Sequence, residues 1–202
     1  MLTVLLPVIR SWTCDAVCEA LANSDIPRPS RVVLILDAPG CDEWIVKLAR
    51  IGFGVNPHKT DNPYPPEGRV ERRSRWRAMR KYSQQLVPDG PLLCVEDDVL
   101  VCPDFYARLS AIGPHATGVV VGRHGGRTPV IYPLKPRMGS GVQEIWGCGY
   151  NCLLTTGEAY RGAVLGDGPE PADVEHTSQI RPLRVDWGCI CGHMTESGVL
   201  YP

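Results

Sequence analysis

Two short apolar runs near the start of the chain constrain its fold more than any other feature. Thr3–Ile9 and Arg31–Leu36 each read as a buried strand, and each is followed by a helical pattern, Thr13–Asn23 and then Asp42–Arg50. Strands that are apolar on both faces are typical of a parallel sheet covered by helices on both sides. The alternation therefore predicts an α/β domain whose parallel strands are joined by right-handed crossovers.

The composition fits a folded domain and excludes several classes of function. The 202 residues are 44% hydrophobic and 21% charged, as in ordinary globular proteins. The net charge of −1 gives no overall attraction to nucleic acid or acidic lipid. No apolar run approaches the roughly 20 residues of a membrane span, and the apolar start lacks the flanks of a secretory signal. We therefore expect a cytoplasmic protein whose nine cysteines are reduced thiols.

The rest of the first half continues the alternation after one interruption. The prolines of Asn56–Gly68 predict a surface loop. Arg69–Leu86 follows as a strongly basic helix, and Pro91–Val95 reads as a short apolar strand. A helix over Asp104–Ile112 and a strand over Gly118–Gly122 complete this half.

The second half of the chain is less regular. Arg123–Val142 is rich in Gly, Pro, Arg and Lys and predicts a loop. Gly149–Leu154 reads as a strand that leads into a helix near Glu158–Val164. An acidic loop is predicted over Gly166–His176, and a last strand over Leu183–Asp186.

Acidic residues follow two of the predicted strands. Asp37 ends the second strand, and Glu96, Asp97 and Asp98 end the strand Pro91–Val95. Ligands of open α/β sheets bind beyond the carboxyl ends of the strands. Adjacent carboxylates repel one another unless a cation compensates, and oxygen ligands favour Mg²⁺ or Mn²⁺. The triplet therefore indicates a metal and diphosphate site, with a solvated turn as the alternative.

The stretch Val95–Tyr106, VEDDVLVCPDFY, resembles the acidic signature of the N-acetylglucosaminyltransferase I family of inverting, GT-A-fold glycosyltransferases. Weaker similarities come in the same order at Ile9-Arg10-Ser11, Asp37 and Arg75-Trp76. The resemblance implies a single GT-A-like domain over 1–202, an α/β fold with a mixed sheet flanked by helices. Residues 1–120 would bind the nucleotide sugar and 121–202 would face the acceptor.

The resemblance also implies roles for individual residues. Asp98 would bind Mn²⁺ or Mg²⁺, while Glu96 and Asp97 would position the ribose and the surrounding loop. The remaining donor-site residues would be Asp37 for uracil, Arg10 for the nucleotide or its phosphates, and Arg75 as a weaker candidate. A surface ion pair is the alternative for each of these last three.

Inverting transfer also needs a base that removes a proton from the acceptor hydroxyl. The late acidic loop offers Asp167, Glu170, Asp173 and Glu175. Asp173 fits best because it follows the acceptor-side segment Trp146–Tyr160 at a plausible distance, and Glu175 is the reserve. An ordinary acidic loop is the alternative.

His193, in CGHMTESG, is similar to the late histidine that many GT-A enzymes place on the metal or the diphosphate. A surface histidine is the alternative. The predicted reaction is metal-dependent, inverting transfer of a hexose or an N-acetylhexosamine from a UDP-sugar to an acceptor hydroxyl. The acceptor, whether a glycan, protein, lipid-linked or nucleic-acid hydroxyl, stays open, as does the oligomeric state.

Two other functions remain open at this point. Cys148, Cys152, Cys189, Cys191 and His193 offer the ligand types of a structural zinc site, which beside the basic helix would suggest a nucleic-acid-binding module. The same thiols are also typical of small apolar core residues. A GT-A-like protein that binds nucleotide without turnover is the second alternative.

Overall fold

The computed structural model describes residues 1–61, 69–122, 128–133, 138–166 and 171–201. Parts of the predicted loops, including Asp167 and Glu170, lie outside the described residues. In chain order the helices and strands are β1 (Thr3–Val8), α1 (Cys14–Ala22), β2 (Arg31–Leu36), α2 (Glu43–Arg50), β3 (Gly54–Lys59), α3 (Arg69–Leu86), β4 (Pro91–Val95), β5 (Val99–Leu100), α4 (Phe105–Ile112), β6 (Ala116–Val119), β7 (Val121–Gly122), β8 (Thr128–Pro129), β9 (Ile131–Tyr132), β10 (Val142–Ile145), β11 (Gly147–Cys148), β12 (Cys152–Thr156), α5 (Gly157–Gly162), α6 (Ala172–Thr177), β13 (Leu183–Ile190), β14 (Gly192–Thr195) and β15 (Gly198–Leu200).

An eight-stranded mixed sheet forms the centre of the domain, in the order β10-β13-β6-β12-β4-β1-β2-β3. The strands of the first half, β4, β1, β2 and β3, are parallel, as the alternation of strands and helices predicts. In the second half, β12 runs antiparallel to both β4 and β6, and β10 runs antiparallel to β13. The predicted α/β fold with a mixed sheet flanked by helices is confirmed.

Burial on both faces explains why the first strands are so apolar. Leu6 of β1 joins a core cluster that contains Val17 of α1 and Trp44 of α2. Leu5, its neighbour in the strand, points to the other face and joins a cluster that contains Met79 of α3. Strand β1 therefore packs against helices on both faces of the sheet. Among the described residues, no helix combines the length and apolarity needed to cross a bilayer.

Strand β3 lies where the proline-rich loop is predicted, so that prediction is wrong for residues 56–59. Pro57 pairs with Leu34 of β2 at the edge of the sheet. The amides of Gly54 and Thr60 donate to carbonyls on the β2 side. Because N–H direction alternates along a strand, position 57 faces away from β2, where a missing N–H removes no ladder hydrogen bond.

The second half contains more regular structure than its sequence indicates. The described part of the acidic loop includes helix α6, and the last predicted strand extends from Asp186 to Ile190. Strand β12 begins at Cys152, three residues later than predicted. Strands β14 and β15 were not predicted, and β14 pairs with β5 directly after the acidic triplet. This pairing brings the end of the chain to the carboxyl end of β4.

Candidate active site

The acidic triplet occupies the turn between β4 and β5, and its side chains point in two directions. Glu96 and Asp98 line a cavity of about 360 Å³, whereas Asp97 points back into the protein and is fully buried. The cavity lies at the carboxyl ends of the parallel strands, as predicted. Other predicted or charged residues that line it are Arg10, Arg73, Arg80, Asp173 and His193.

Asp98 and His193 meet at this cavity. The Nε2 atom of His193 lies 3.3 Å from Oδ2 of Asp98, and Nδ1 donates to the Val121 carbonyl at 2.8 Å. The amide of Met194 also donates to the Asp98 carbonyl at 2.7 Å. The hydrogen bond with Asp98 raises the pKa of His193 above its ordinary value. Strand β14 therefore places the predicted histidine on the predicted metal ligand.

These two side chains fit a divalent cation. Oδ1 of Asp98 is buried and has no hydrogen-bond partner among the described residues. A buried carboxylate oxygen without a partner is costly unless a cation or donor satisfies it. The bond from Nδ1 to Val121 fixes the ring and leaves Nε2 directed at Asp98, which is the orientation that second-shell contacts give to metal-binding histidines.

Asp97 ties the end of β1 to the end of β4. Its Oδ2 accepts hydrogen bonds from the amides of Ile9 and Arg10, at 2.7 and 2.8 Å, and its Oδ1 accepts one from the Arg10 guanidinium. Burial raises the pKa of Asp97 to about 6, against the opposing effect of Arg10. Arg10 also lies 3.1 Å from Asp98, so the same guanidinium reaches both carboxylates. Asp97 is thus placed to position Arg10, and its oxygens are occupied within the protein.

Glu96 is held by two residues that the sequence analysis did not single out. Nη2 of Arg80 donates to Oε1 at 2.9 Å, and the Asn151 amide donates to Oε2 at 2.8 Å. Burial raises the pKa of Glu96 to about 8, and Arg80 opposes that shift. Arg80 itself is buried, with its guanidinium 4.0 Å from the ring centroid of Tyr150. A basic helix with few apolar residues gives only a weak sequence signal that one of its arginines is buried, and Asn151 gives none.

Asp37 and Arg75 form a buried ion pair. Nε of Arg75 lies 2.6 Å from Oδ2 of Asp37, and Nη2 donates to the Asp37 carbonyl. The Thr60 hydroxyl donates to Oδ1 of Asp37. The structure therefore brings together the two predicted donor-site residues, but neither lines the cavity.

Asp173 and Glu175 lie on the short helix α6 and differ in their surroundings. Asp173 lines the cavity, and burial raises its pKa despite the opposing effect of Arg80. Glu175 does not line it. Its Oε2 lies 2.9 Å from Nη2 of Arg77, and its Oε1 accepts a hydrogen bond from the Gly166 amide at 2.9 Å. Of the two predicted bases, only Asp173 faces the site of Asp98.

The thiols and histidine of the alternative zinc site are not brought together as a set. His193 contacts Asp98, and Cys148 lies in the core cluster on the other face of the sheet, where its amide and carbonyl bond to Thr177. Cys189 and Cys191 do lie together, with Cys102 and Cys152 as their neighbours.

Comparisons with known proteins support the fold. No family model matches the sequence, and no curated protein resembles it closely enough to match. The structure of S. aureus TarS 1–349 superposes with a TM-score of 0.65 at 13% identity, over 99% of this chain and 59% of that one. An active-site mutant of LgtC gives a TM-score of 0.53 at 13% identity over 91% and 71% of the two chains. A nucleoside-diphosphate-sugar pyrophosphorylase from Vibrio cholerae gives 0.53 at 11% identity over 100% and 95%.

These similarities show the fold alone, because the sequence identities are low. This chain spans less than two thirds of the TarS fragment. Two further structures of that fragment contain UDP-GlcNAc and UDP. The architecture of this chain is that of the GT-A glycosyltransferases.

Proposed function

We propose that this chain is a metal-dependent, inverting glycosyltransferase that moves a hexose or an N-acetylhexosamine from a UDP-sugar to an acceptor hydroxyl. The observation that carries the proposal is the meeting of Asp98 and His193 in a cavity that Asp173 also lines. The GT-A architecture supports it, because TarS shares this architecture and binds UDP-GlcNAc and UDP in its crystals. The resemblance of Val95–Tyr106 to the acidic signature of the N-acetylglucosaminyltransferase I family is consistent with the same class of reaction.

Asp98 and His193 would hold the metal ion. A bound divalent ion neutralises negative charge on a leaving diphosphate. Because imidazole is a better ligand for Mn²⁺ than for Mg²⁺, the pair favours Mn²⁺. The unpartnered Oδ1 of Asp98 and the fixed ring of His193 are the features that fit this role.

Arg10 would bind the diphosphate. Its guanidinium lines the cavity and is only partly exposed, and Asp97 holds it beside Asp98. A guanidinium can donate two parallel hydrogen bonds to phosphate oxygens. Asp97 would act as a positioning residue, because its own oxygens are engaged by the backbone and side chain of the β1 turn.

Glu96 would position the ribose from the same cavity, with Arg80 and Asn151 fixing its carboxylate. The Asp37 and Arg75 pair lies outside the cavity lining. We assign it a supporting role, in which it holds the end of β2 against α3 and so shapes the uracil end of the donor site. A direct contact between Asp37 and uracil would require the Arg75 and Thr60 contacts to rearrange.

Asp173 would be the general base. A carboxylate whose pKa is raised by burial accepts a proton more readily than an exposed aspartate does. Arg80 lies near enough to favour the charged form of Asp173, which the base needs before it accepts the proton. Glu175 would instead support α6 through Arg77 and Gly166.

The test is thermal unfolding of the chain with UDP, with Mn²⁺, and with both, followed by a hydrolysis assay over a panel of nucleotide sugars. Ligand binding to the folded state raises its stability. We expect UDP and Mn²⁺ together to raise Tm more than the sum of their separate effects, and one UDP-sugar to release UDP faster than the others.

Other outcomes would point elsewhere. Stabilisation by UDP and Mn²⁺ without hydrolysis or transfer would indicate a nucleotide-binding protein without turnover. Formation of a nucleotide sugar from a nucleoside triphosphate and a sugar phosphate would indicate a nucleotidyltransferase. Absence of any nucleotide effect would overturn the proposal.

A further inference from the structure

Three cysteine thiols lie close together near the β5–β14 strand pair, which also positions Asp98 and His193. Cys102 follows β5, Cys189 lies near the end of β13, and Cys191 precedes β14. Their sulfur atoms all lie within 4.8 Å of one another, and the sulfurs of Cys102 and Cys189 are 3.7 Å apart. The cluster joins segments that are far apart in sequence, so the fold itself brings the thiols together.

The separation of two of these sulfurs matches that of ligands around one tetrahedral ion. A zinc–sulfur bond of about 2.3 Å places two sulfurs of a tetrahedral site about 3.8 Å apart. The separation of Cys102 and Cys189 agrees with this value. Because all three sulfurs also lie within 4.8 Å of one another, the three thiols are arranged to bind a single soft cation.

The surroundings leave room for the thiols and a route for an ion. A Cβ atom at position 118 would lie 2.9 Å from the Cys189 sulfur and 3.2 Å from the Cys152 sulfur, so Gly118 makes space for both. Cys152 also interacts with Cys191. Cys189 and Cys191 are buried, whereas Cys102 is partly exposed and opens the cluster toward solvent.

We infer that Cys102, Cys189 and Cys191 bind one structural zinc ion, with Cys152 as the nearby thiol available for the fourth coordination position. Thiolates select zinc over Mn²⁺ and Mg²⁺, so this site and the Asp98 site would take different metals. The set differs from the one that the sequence suggests, because it includes Cys102 and excludes Cys148 and His193.

The zinc ion would stabilise the β5–β14 strand pair, which positions Asp98 and His193. Strand β14 pairs with β5 so that His193 is opposite Val99 and Gly192 is opposite Leu100. Cys191 precedes β14 and Cys102 follows β5, so a zinc ion bound by both would hold one end of the β5–β14 pair together. Asp98 and His193 lie at the other end. This consequence rests on the proposed function, whereas zinc binding itself does not.

The experiment measures metal content and cobalt spectra of the whole chain. Protein purified from zinc-supplemented cells without chelators is expected to contain about one zinc per chain by mass spectrometry. Exchange for Co²⁺ should give the visible bands of tetrahedral cobalt and a sulfur-to-cobalt charge-transfer band in the near ultraviolet. That band reports thiolate ligands whatever the enzyme's activity.

Three variants locate the ion. Cys102→Ala should reduce bound zinc to about a tenth or less, because a three-thiol site loses a ligand. Cys18→Ala, which removes a buried thiol of α1, and His193→Ala, which alters only the proposed catalytic site, should both keep the zinc. Zinc-free wild-type protein without a cobalt charge-transfer band would overturn the inference, as would full zinc retention in Cys102→Ala. If Cys102→Ala does not fold, the wild-type cobalt spectrum decides.

Discussion

The Nε2 atom of His193 lies 3.3 Å from Oδ2 of Asp98, although the two residues are 95 positions apart in the chain. Asp98 lies in the turn that follows β4, a strand at the centre of the sheet, and His193 lies on β14, near the end of the chain. The second half of the chain therefore contributes a side chain, His193, to the site formed by the acidic turn. Loss of either side chain should therefore affect the same step.

Asp98→Asn should abolish metal-dependent transfer while the fold is retained. The substitution preserves the size of the side chain but removes the charge that would hold the cation, and we expect activity to fall by about 100-fold or more. Transfer rates and the Mn²⁺ dependence of UDP stabilisation measure the effect. Asp15→Asn, at an exposed acid on α1, is the matched control and should behave as wild type. Normal activity of Asp98→Asn would refute the metal assignment.

His193→Ala should weaken the response to Mn²⁺ more than it weakens folding. The ring is only partly buried, and its loss leaves Asp98 in place. We expect the Mn²⁺ concentration for half-maximal activity to rise by about 10- to 100-fold, with part of the activity recovered at high Mn²⁺. A Mn²⁺ titration of transfer at saturating donor makes the measurement. An unchanged titration curve would assign His193 a structural role.

Asp173→Asn should suppress transfer by about 10²-fold or more and leave UDP and Mn²⁺ binding intact, as loss of a general base does. Glu175→Gln is the matched control on the same helix. Its contacts with Arg77 and Gly166 lie outside the cavity, so transfer should continue. Single-turnover transfer and UDP-induced changes in Tm separate chemistry from binding. The reverse pattern would make Glu175 the base.

Arg75→Met should destabilise the protein by about 3 kcal/mol, because it removes the buried ion pair with the Asp37 carboxylate. Combining it with Asp37→Asn also removes the carboxylate charge and should recover a large part of the loss. Urea unfolding monitored by tryptophan fluorescence measures both. Lys59→Met, which breaks an exposed pair with Asp42, should change stability by less than about 1 kcal/mol. Equal losses of stability in Arg75→Met and Lys59→Met would show that burial of the Asp37–Arg75 pair makes no difference.

His176 should make the fold sensitive to acid. Burial lowers its pKa from 6.5 to about 3, its Nδ1 has no partner among the described residues, and its ring packs against Tyr150 and Tyr160. Because the unfolded state gains a proton first as the pH falls, the stability that neutral His176 contributes is present above pH 6.5 and is lost progressively down to about pH 3.

The expected slope from this residue is about 1.4 kcal/mol per pH unit within that window. Urea unfolding of wild type and His176→Phe between pH 6 and pH 4 tests it, since the variant keeps an aromatic ring without the titration. His58→Gln, at a partly exposed histidine, should reduce the slope much less. Parallel curves for wild type and His176→Phe would refute the assignment.

The sequence predicts the first half of the fold well because its signals are local. The apolar runs of β1 and β2 reflect burial on both faces of the sheet. The helical pattern of Arg69–Leu86 reflects burial on one face of the helix. The loop prediction is wrong at Pro57. Proline breaks most strands, but here it lies on an edge strand and faces away from β2, so the sheet loses no hydrogen bond. Short strands such as β14 carry too little periodicity to be predicted, since their stability comes from pairing with β5.

The candidate site shows the same contrast between local sequence signals and contacts between distant segments. The position of Glu96, Asp97 and Asp98 after an apolar strand indicates the end of β4, where the structure has a cavity. Which carboxylate faces the cavity depends on the turn that follows, and the turning of Asp97 toward the amides of β1 is a tertiary contact. Arg80, Asn151 and the cluster of Cys102 with Cys189 and Cys191 depend on contacts between distant segments, so no local pattern reveals them.

Pro57 has a consequence for how copies of this protein meet one another. It lies on β3, the last strand on one side of the central sheet, and its backbone nitrogen, which carries no hydrogen, faces outward. A second molecule that extended the sheet there would meet no N–H donor at Pro57, in the middle of the new ladder. Pro57 therefore disfavours edge-to-edge pairing at the side of the sheet farthest from β10.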